Sequence, residues 1–291
     1  MRWEDAANWT DDRLPNSSDE VCIGSAASVE TGGTSTVGGL RVDGALTVVG
    51  LGDLSVAATH DSAVPGTLTL QSGRLTLDGD MTVEAFRQSG GTLLGSGTVA
   101  TPDFRWTAGA EVGSGTTELT GSGAGLALSG AVHTLDASRR LKIDSGASVA
   151  WTAGDLELRA AASVQNAGLI DVRGDQDWSG CCGSAMSVVN EPGGTIRKSA
   201  GDGETRLTYP LTNDGTLDVR TGTLAISGGS IAGHRSAGAF DVADGATLAF
   251  TGSDFNLGPA SVVTGHGSGG LLFKFGAVRF GGRVQAPAEV D

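Results

Sequence analysis

A chain of 291 residues with 48 glycines, 3 lysines and 39% hydrophobic content has enough apolar side chains to fill a core, which excludes wholesale disorder. It has too much glycine for long helices, where each interior glycine costs about 1 kcal/mol relative to alanine, and no Gly-X-Y period, which excludes collagen. The net charge of −14 repels phosphate backbones and anionic surfaces, so nucleic acid, anionic membranes and polyanionic polysaccharides are excluded as partners, and no run of 18 apolar residues offers a membrane span.

The chain opens on Met-Arg-Trp-Glu, which has no apolar signal region, so the sequence reads as part of a longer exported protein. Residues 1–25 are expected to form an N-terminal capping or entry segment. Strands are then expected at Thr-Leu-Thr-Leu 67–70 and Leu-Thr-Leu 75–77, and again at 169–172, 217–219 and 224–226, each alternating apolar and polar residues with period two. Ser-Gly, Asn-Asp-Gly, Asp-Gly-Ala and Gly-Gly lie between them and supply turn residues able to adopt positive φ.

Spacing says more than the pattern. Trp-Thr-Ala-Gly occurs at 106–109 and again 45 residues later at 151–154, while Asn166, Asn190 and Asn213, each in an Asn-turn context, are separated by 24 and 23 residues. Both spacings report one repeat of about 23 residues, too short to bury its own apolar face, so successive repeats must stack. The expected fold is all-β: a right-handed parallel β-helix (β-solenoid) of roughly 12 coils, a single domain over 1–291 and a rod of roughly 60 Å at about 4.8 Å per coil. In it Asn166, Asn190 and Asn213 stack at one corner as a structural amide ladder.

The run 104–109 (Phe-Arg-Trp-Thr-Ala-Gly), followed by Gly-Ser-Gly-Thr-Thr at 113–117, Leu-Ala-Leu-Ser-Gly at 126–130 and Leu-Thr-Asn-Asp-Gly-Thr-Leu-Asp-Val at 211–219, resembles the β-solenoid repeats of bacterial extracellular proteins of the adhesin-like and autotransporter-passenger-like kind. The likeness covers residues 90–285. The opening, with Trp3, Asn8, Trp9 and Pro15, is similar to the segment that seals the first coil in such proteins. The resemblance implies a secreted or cell-surface location and a structural or adhesive role, and no catalytic residue carries across with it.

Chemistry-bearing residues are few. Asp171, Asp175 and Asp177 form the densest acidic group, with Trp178 beside them as an exposed sugar platform, so these four are the candidate ligand-binding residues. Asp202 and Glu204 follow one repeat later. Paired carboxylates on one flank would also serve a polysaccharide hydrolase or lyase, the alternative reading, and oxygen-rich calcium ligation is open at the same place, so the metal is unknown. Against both stands the simpler account that an acidic chain carries solvated carboxylates.

Arg173-Gly174-Asp175 spells an integrin-type tripeptide, expected as a chance occurrence in this composition. His60, His133, His234 and His266 are not spaced as metal ligands, the Gly-rich runs 121–125 and 265–269 read as turns, and no cofactor is expected. Trp106 and Trp151 hold equivalent repeat positions and are expected in the core. Cys181 and Cys182 are too close as neighbours for a relaxed disulfide, and Cys22 is about seven coils away. The expected activity is structural or adhesive, with a cell-surface glycan or a neighbouring surface protein as partner.

Overall fold

The structure, a computed structural model, describes residues 1–180 and 185–290, with 288–290 by backbone alone. Cys181 and Cys182 lie outside the described residues. The chain is a parallel β-solenoid of about 12 turns. Three faces line it. The first runs from Glu20–Ile23 through Thr116–Leu119 to Leu211–Asn213, the second from Ser28–Thr31 through Asp103–Trp106 to Arg283–Gln285, and the third is a 13-stranded sheet from Thr34–Val37 to Ala288–Val290. Every strand pairs in parallel with its equivalent one coil on, as Thr34 with Asp53 and Thr216 with Ala239. In two coils the first and second faces merge into single strands, Ser62–Leu70 and Met81–Gln88, with a register shift between Val64 and Thr67 where Pro65 and Gly66 bend the chain. Among the described residues no helix is long and apolar enough to cross a membrane.

The uniform 23-residue coil requires correction. From Thr116 onward the steps are 24, 23 and 24, since Thr116 faces Arg140, Arg140 faces Ser163 and Ser163 faces Ser187. Earlier coils are shorter: Val29 faces Leu46 and Thr98 faces Thr116, steps of 17 and 18. Corners account for the difference. The early coils turn from the third face to the first within a few residues around Gly79 and Gly97, whereas later ones insert full turns such as 144–147 and 159–162.

Alternation puts one side of every strand into a continuous core, each fully buried large apolar side chain contributing about 1.5–3 kcal/mol. Phe86 and Phe104 stack in successive coils with ring centroids 4.7 Å apart. Trp106 and Trp151 occupy one inward column, separated by Leu128, and both are fully buried. At the first coil Met1–Trp3 lies alongside Glu30, the Trp3 N–H donating to the Glu30 carbonyl at 2.9 Å, and the buried Trp3 ring meets Trp9 edge-on at 4.8 Å. The last coils differ, for Phe275, Phe280 and Val284 are exposed there.

One coil is much longer than the rest. Trp178 pairs with Leu207, 29 residues on, because the third-face strand Trp178–Ser179 is only two residues long before the chain leaves the sheet. Tyr209 fills the gap. Its phenol oxygen accepts from the Leu158 N–H at 2.6 Å and donates to the Ser179 carbonyl, and a Cβ on Gly180 would lie 2.3 Å from that oxygen, so only glycine leaves room for it. Burial pushes the phenol pKa up to about 12, keeping it a donor. Tyr209→Phe orphans a buried N–H and a carbonyl, and its urea midpoint is expected to fall by an amount equivalent to about 1–3 kcal/mol. A midpoint matching the parent would refute this bridging role.

Candidate functional site

Asp171 occupies an outward position of Leu169–Arg173 on the second face, between Ala150 and Arg197 of adjacent coils. Its Oδ2 accepts from Arg173 Nε at 2.8 Å. Burial alone would raise its pKa, but bonds to Ser199 and Arg173 outweigh burial and hold the carboxyl below the usual range. Asp175 lies at the next corner, where Oδ1 accepts from Lys198 Nζ at 2.6 Å and from the Gly203 N–H at 3.1 Å. The Lys198 bond is the main reason that its pKa is lowered. Lys198 itself is fully buried, its ammonium satisfied by Asp175 and by the carbonyls of Gly174 and Ala200 at 2.7 and 3.1 Å. Asp177 stands on the way to the third face, accepting from the Arg206 N–H at 2.7 Å. Burial first, then the nearby Asp155 and Glu204 charges, push its pKa up.

The three carboxylates are therefore spread over a face, a corner and the start of another face, and two of them are tied to cations. Trp178 is a correction: expected as an exposed sugar platform, it is fully buried and packs edge-on against Trp151 at 5.1 Å. It aligns with Leu156 and Leu207, an inward column, so the polar stretch around it disguised a strand of two residues. In Arg173-Gly174-Asp175 both charged ends bond within the coil, so the tripeptide is not displayed as a free loop. Among the described residues no three His, Cys, Asp or Glu side chains group as a metal site.

Asn166, Asn190 and Asn213 face one another in register and are fully buried. Asn166 Nδ2 donates to Asn190 Oδ1 at 2.8 Å and Asn190 Nδ2 to Asn213 Oδ1 at 2.7 Å. The same nitrogens reach the carbonyls of Thr195 and Thr216, each at 3.1 Å, and Asn213 Nδ2 reaches that of Ala239 at 2.9 Å. In earlier coils this inward column is aliphatic, with Leu119 above Ile143, so the ladder replaces an apolar seam with amides that fasten one coil to the next.

Two polar features have no counterpart among the sequence expectations. One is internal: Glu111 and Arg139, both fully buried, meet at 3.1 Å between Oε2 and Nε, with Thr117 bonded to both. Glutamate at an inward position of Gly109–Val112 is the signal that marks it. The other is a groove at the corner between third and first faces. The loop carrying Thr59, His60 and Asp61 stands over the tighter corner at Gly79 and Asp80, leaving a cavity of about 540 Å³. It continues into a second of about 380 Å³ along Asp61, Asp80, Thr82, Thr98 and Glu118. Asp80 Oδ1 accepts from the Thr98 N–H at 2.8 Å, and Glu118 pairs with Lys142. The acids recur at the short early period, which a 23-residue repeat hides.

Comparison with family models, with curated proteins and with solved structures finds no match.

Proposed function

We propose that this chain is a structural and adhesive module of a secreted or cell-surface protein, a rod of roughly 60 Å that holds a glycan along its corner groove. The observation that carries the structural part is the single uninterrupted core from Trp3 to Leu271, in which each coil is bonded to the next by backbone ladders. Such a body resists bending and keeps whatever it carries at a fixed distance. Support for adhesion comes from the groove. Its carboxylates and hydroxyls, from Asp61, Asp80, Thr82 and Thr98, sit on successive coils about 4.8 Å apart, close to one sugar unit of an extended chain, and their charge favours a neutral or amino-sugar glycan over an acidic one.

An oligosaccharide array followed by calorimetry tests the reading. The intact protein is expected to retain neutral or amino-sugar chains, with affinity about tenfold weaker in Asp61→Asn/Asp80→Asn, the loss of about 1.4 kcal/mol expected for weakened charged hydrogen bonds. Retention unchanged in the double variant removes the groove as the site, and failure to retain any glycan removes adhesion. Glycan cleavage by the purified chain would overturn the non-catalytic role.

A further inference from the structure

His133 begins the third-face strand His133–Asp136 with its side chain fully buried. The ring stands edge-on to Trp106 with centroids 5.1 Å apart, and Nε2 lies 2.9 Å from the Trp106 carbonyl. A carbonyl oxygen only accepts, so Nε2 carries the proton and Nδ1 is the bare nitrogen. Nδ1 is buried without a hydrogen-bond partner. Protonation there introduces both an N–H and a full charge into the core.

The surroundings do little to neutralise that charge. Of the charged residues on the strands packed around the ring, Glu111 is bound to Arg139, while Asp103, Arg105, Asp155 and Glu157 occupy positions that are not buried, Asp103 pairing with Arg87 and Glu157 with Arg159. The same coils also hold the densest set of buried polar atoms without partners, namely Gln88 Oε1, Trp106 Nε1, Glu111 Oε1 and Arg139 Nη1 in addition to His133 Nδ1. Incompletely bonded polar groups in a low-dielectric core make this the part of the rod least able to absorb another charge.

We infer that the coils spanning 103–136 form an acid-labile joint: protonation of His133 opens them locally while the coils on either side stay wound. Burial, the largest influence, lowers the His133 pKa below 6.5, and the carbonyls of Trp106, Asp155 and Ser129 pull the other way without prevailing. The opened segment therefore binds the proton more readily than the closed one. The stabilisation is complete above pH 6.5 and is lost as the pH falls from there toward the folded value. Carboxylates held low, such as Asp171, Asp175 and Asp254, remain ionised in this window and do not contribute to the change.

Hydrogen exchange at pH 7.5 and 5.5, expressed as protection factors corrected for intrinsic rates, tests the joint in the full chain. Protection of amides in 103–112 and 125–136 is expected to drop by up to about tenfold for each pH unit between 6.5 and the folded pKa, with little change at 163–226. In His133→Phe and His133→Gln, checked for native circular dichroism at pH 7.5, the acid-dependent loss is expected to vanish. Gln retains a donor for the Trp106 carbonyl, so the pair separates titration from packing. Uniform loss along the rod, loss centred on the exposed His60, His234 or His266, no loss at all, or the same loss in both variants would each overturn the proposal.

Discussion

Arg139→Met is expected to lower the unfolding free energy by about 3–5 kcal/mol, because it strands the Glu111 carboxylate inside the core. Glu111→Leu leaves the guanidinium stranded and is expected to be similarly severe. The double variant Glu111→Leu/Arg139→Met removes both charges and their desolvation together, and is expected to recover to within about 1 kcal/mol of the parent or to exceed it. Thr117 then loses its charged partners, a smaller penalty of about 1 kcal/mol. A Cβ on Gly115 would lie 2.3 Å from Arg139 Nη1, so the guanidinium fits only against glycine, and Gly115→Ala should destabilise the parent more than the double variant. Denaturant midpoints of the four proteins decide the matter. Equal costs for single and double variants would mean that Glu111 and Arg139 do not act as a pair.

Asn190→Ala is expected to lower stability by at least about 2 kcal/mol. Asn190 is the middle rung, so its loss unpairs the Asn166 amide below and the Asn213 carbonyl above, and each buried group left unmatched costs about 1–3 kcal/mol. The comparison is Asn16→Ala, which removes one exposed turn bond to the Ser18 N–H and should stay within about 0.5 kcal/mol. Asn166→Ala and Asn213→Ala remove an end rung and should fall between the two. Matching midpoints for Asn190→Ala and Asn16→Ala would mean that the amide stack contributes nothing to holding the coils together.

Much of the architecture is legible in the residues alone. The alternation in 67–70 and 217–219, the 45-residue return of Trp-Thr-Ala-Gly and the 24- and 23-residue steps between asparagines point to stacked coils, and Thr67, Leu217 and Trp106 lie on strands of the solenoid. The site is much less legible. Trp178 looks exposed because its neighbours are Asp, Ser and Gly, yet its direction is decided by Leu156 below and Leu207 above. Asp171 and Asp175 look like free ligands because their cations Arg173, two residues on, and Lys198, 23 residues on, carry no sequence mark of pairing.

Local sequence determined that this chain is β, turn-rich and repetitive, because period-two alternation and turn residues act within a few neighbours. It also determined that like residues stack where the repeat length is constant, as at Asn166, Asn190 and Asn213. Which residues meet where the length varies was decided only by the tertiary structure. A coil of 18 residues and one of 24 can present the same strands while their corners differ, and the corner sets which side chain of the next strand turns inward. The corner groove at Asp61 and Asp80, the buried Glu111–Arg139 pair and the His133–Trp106 contact all join residues 19 to 28 positions apart, across coils whose lengths differ, and so exist only once the chain is wound.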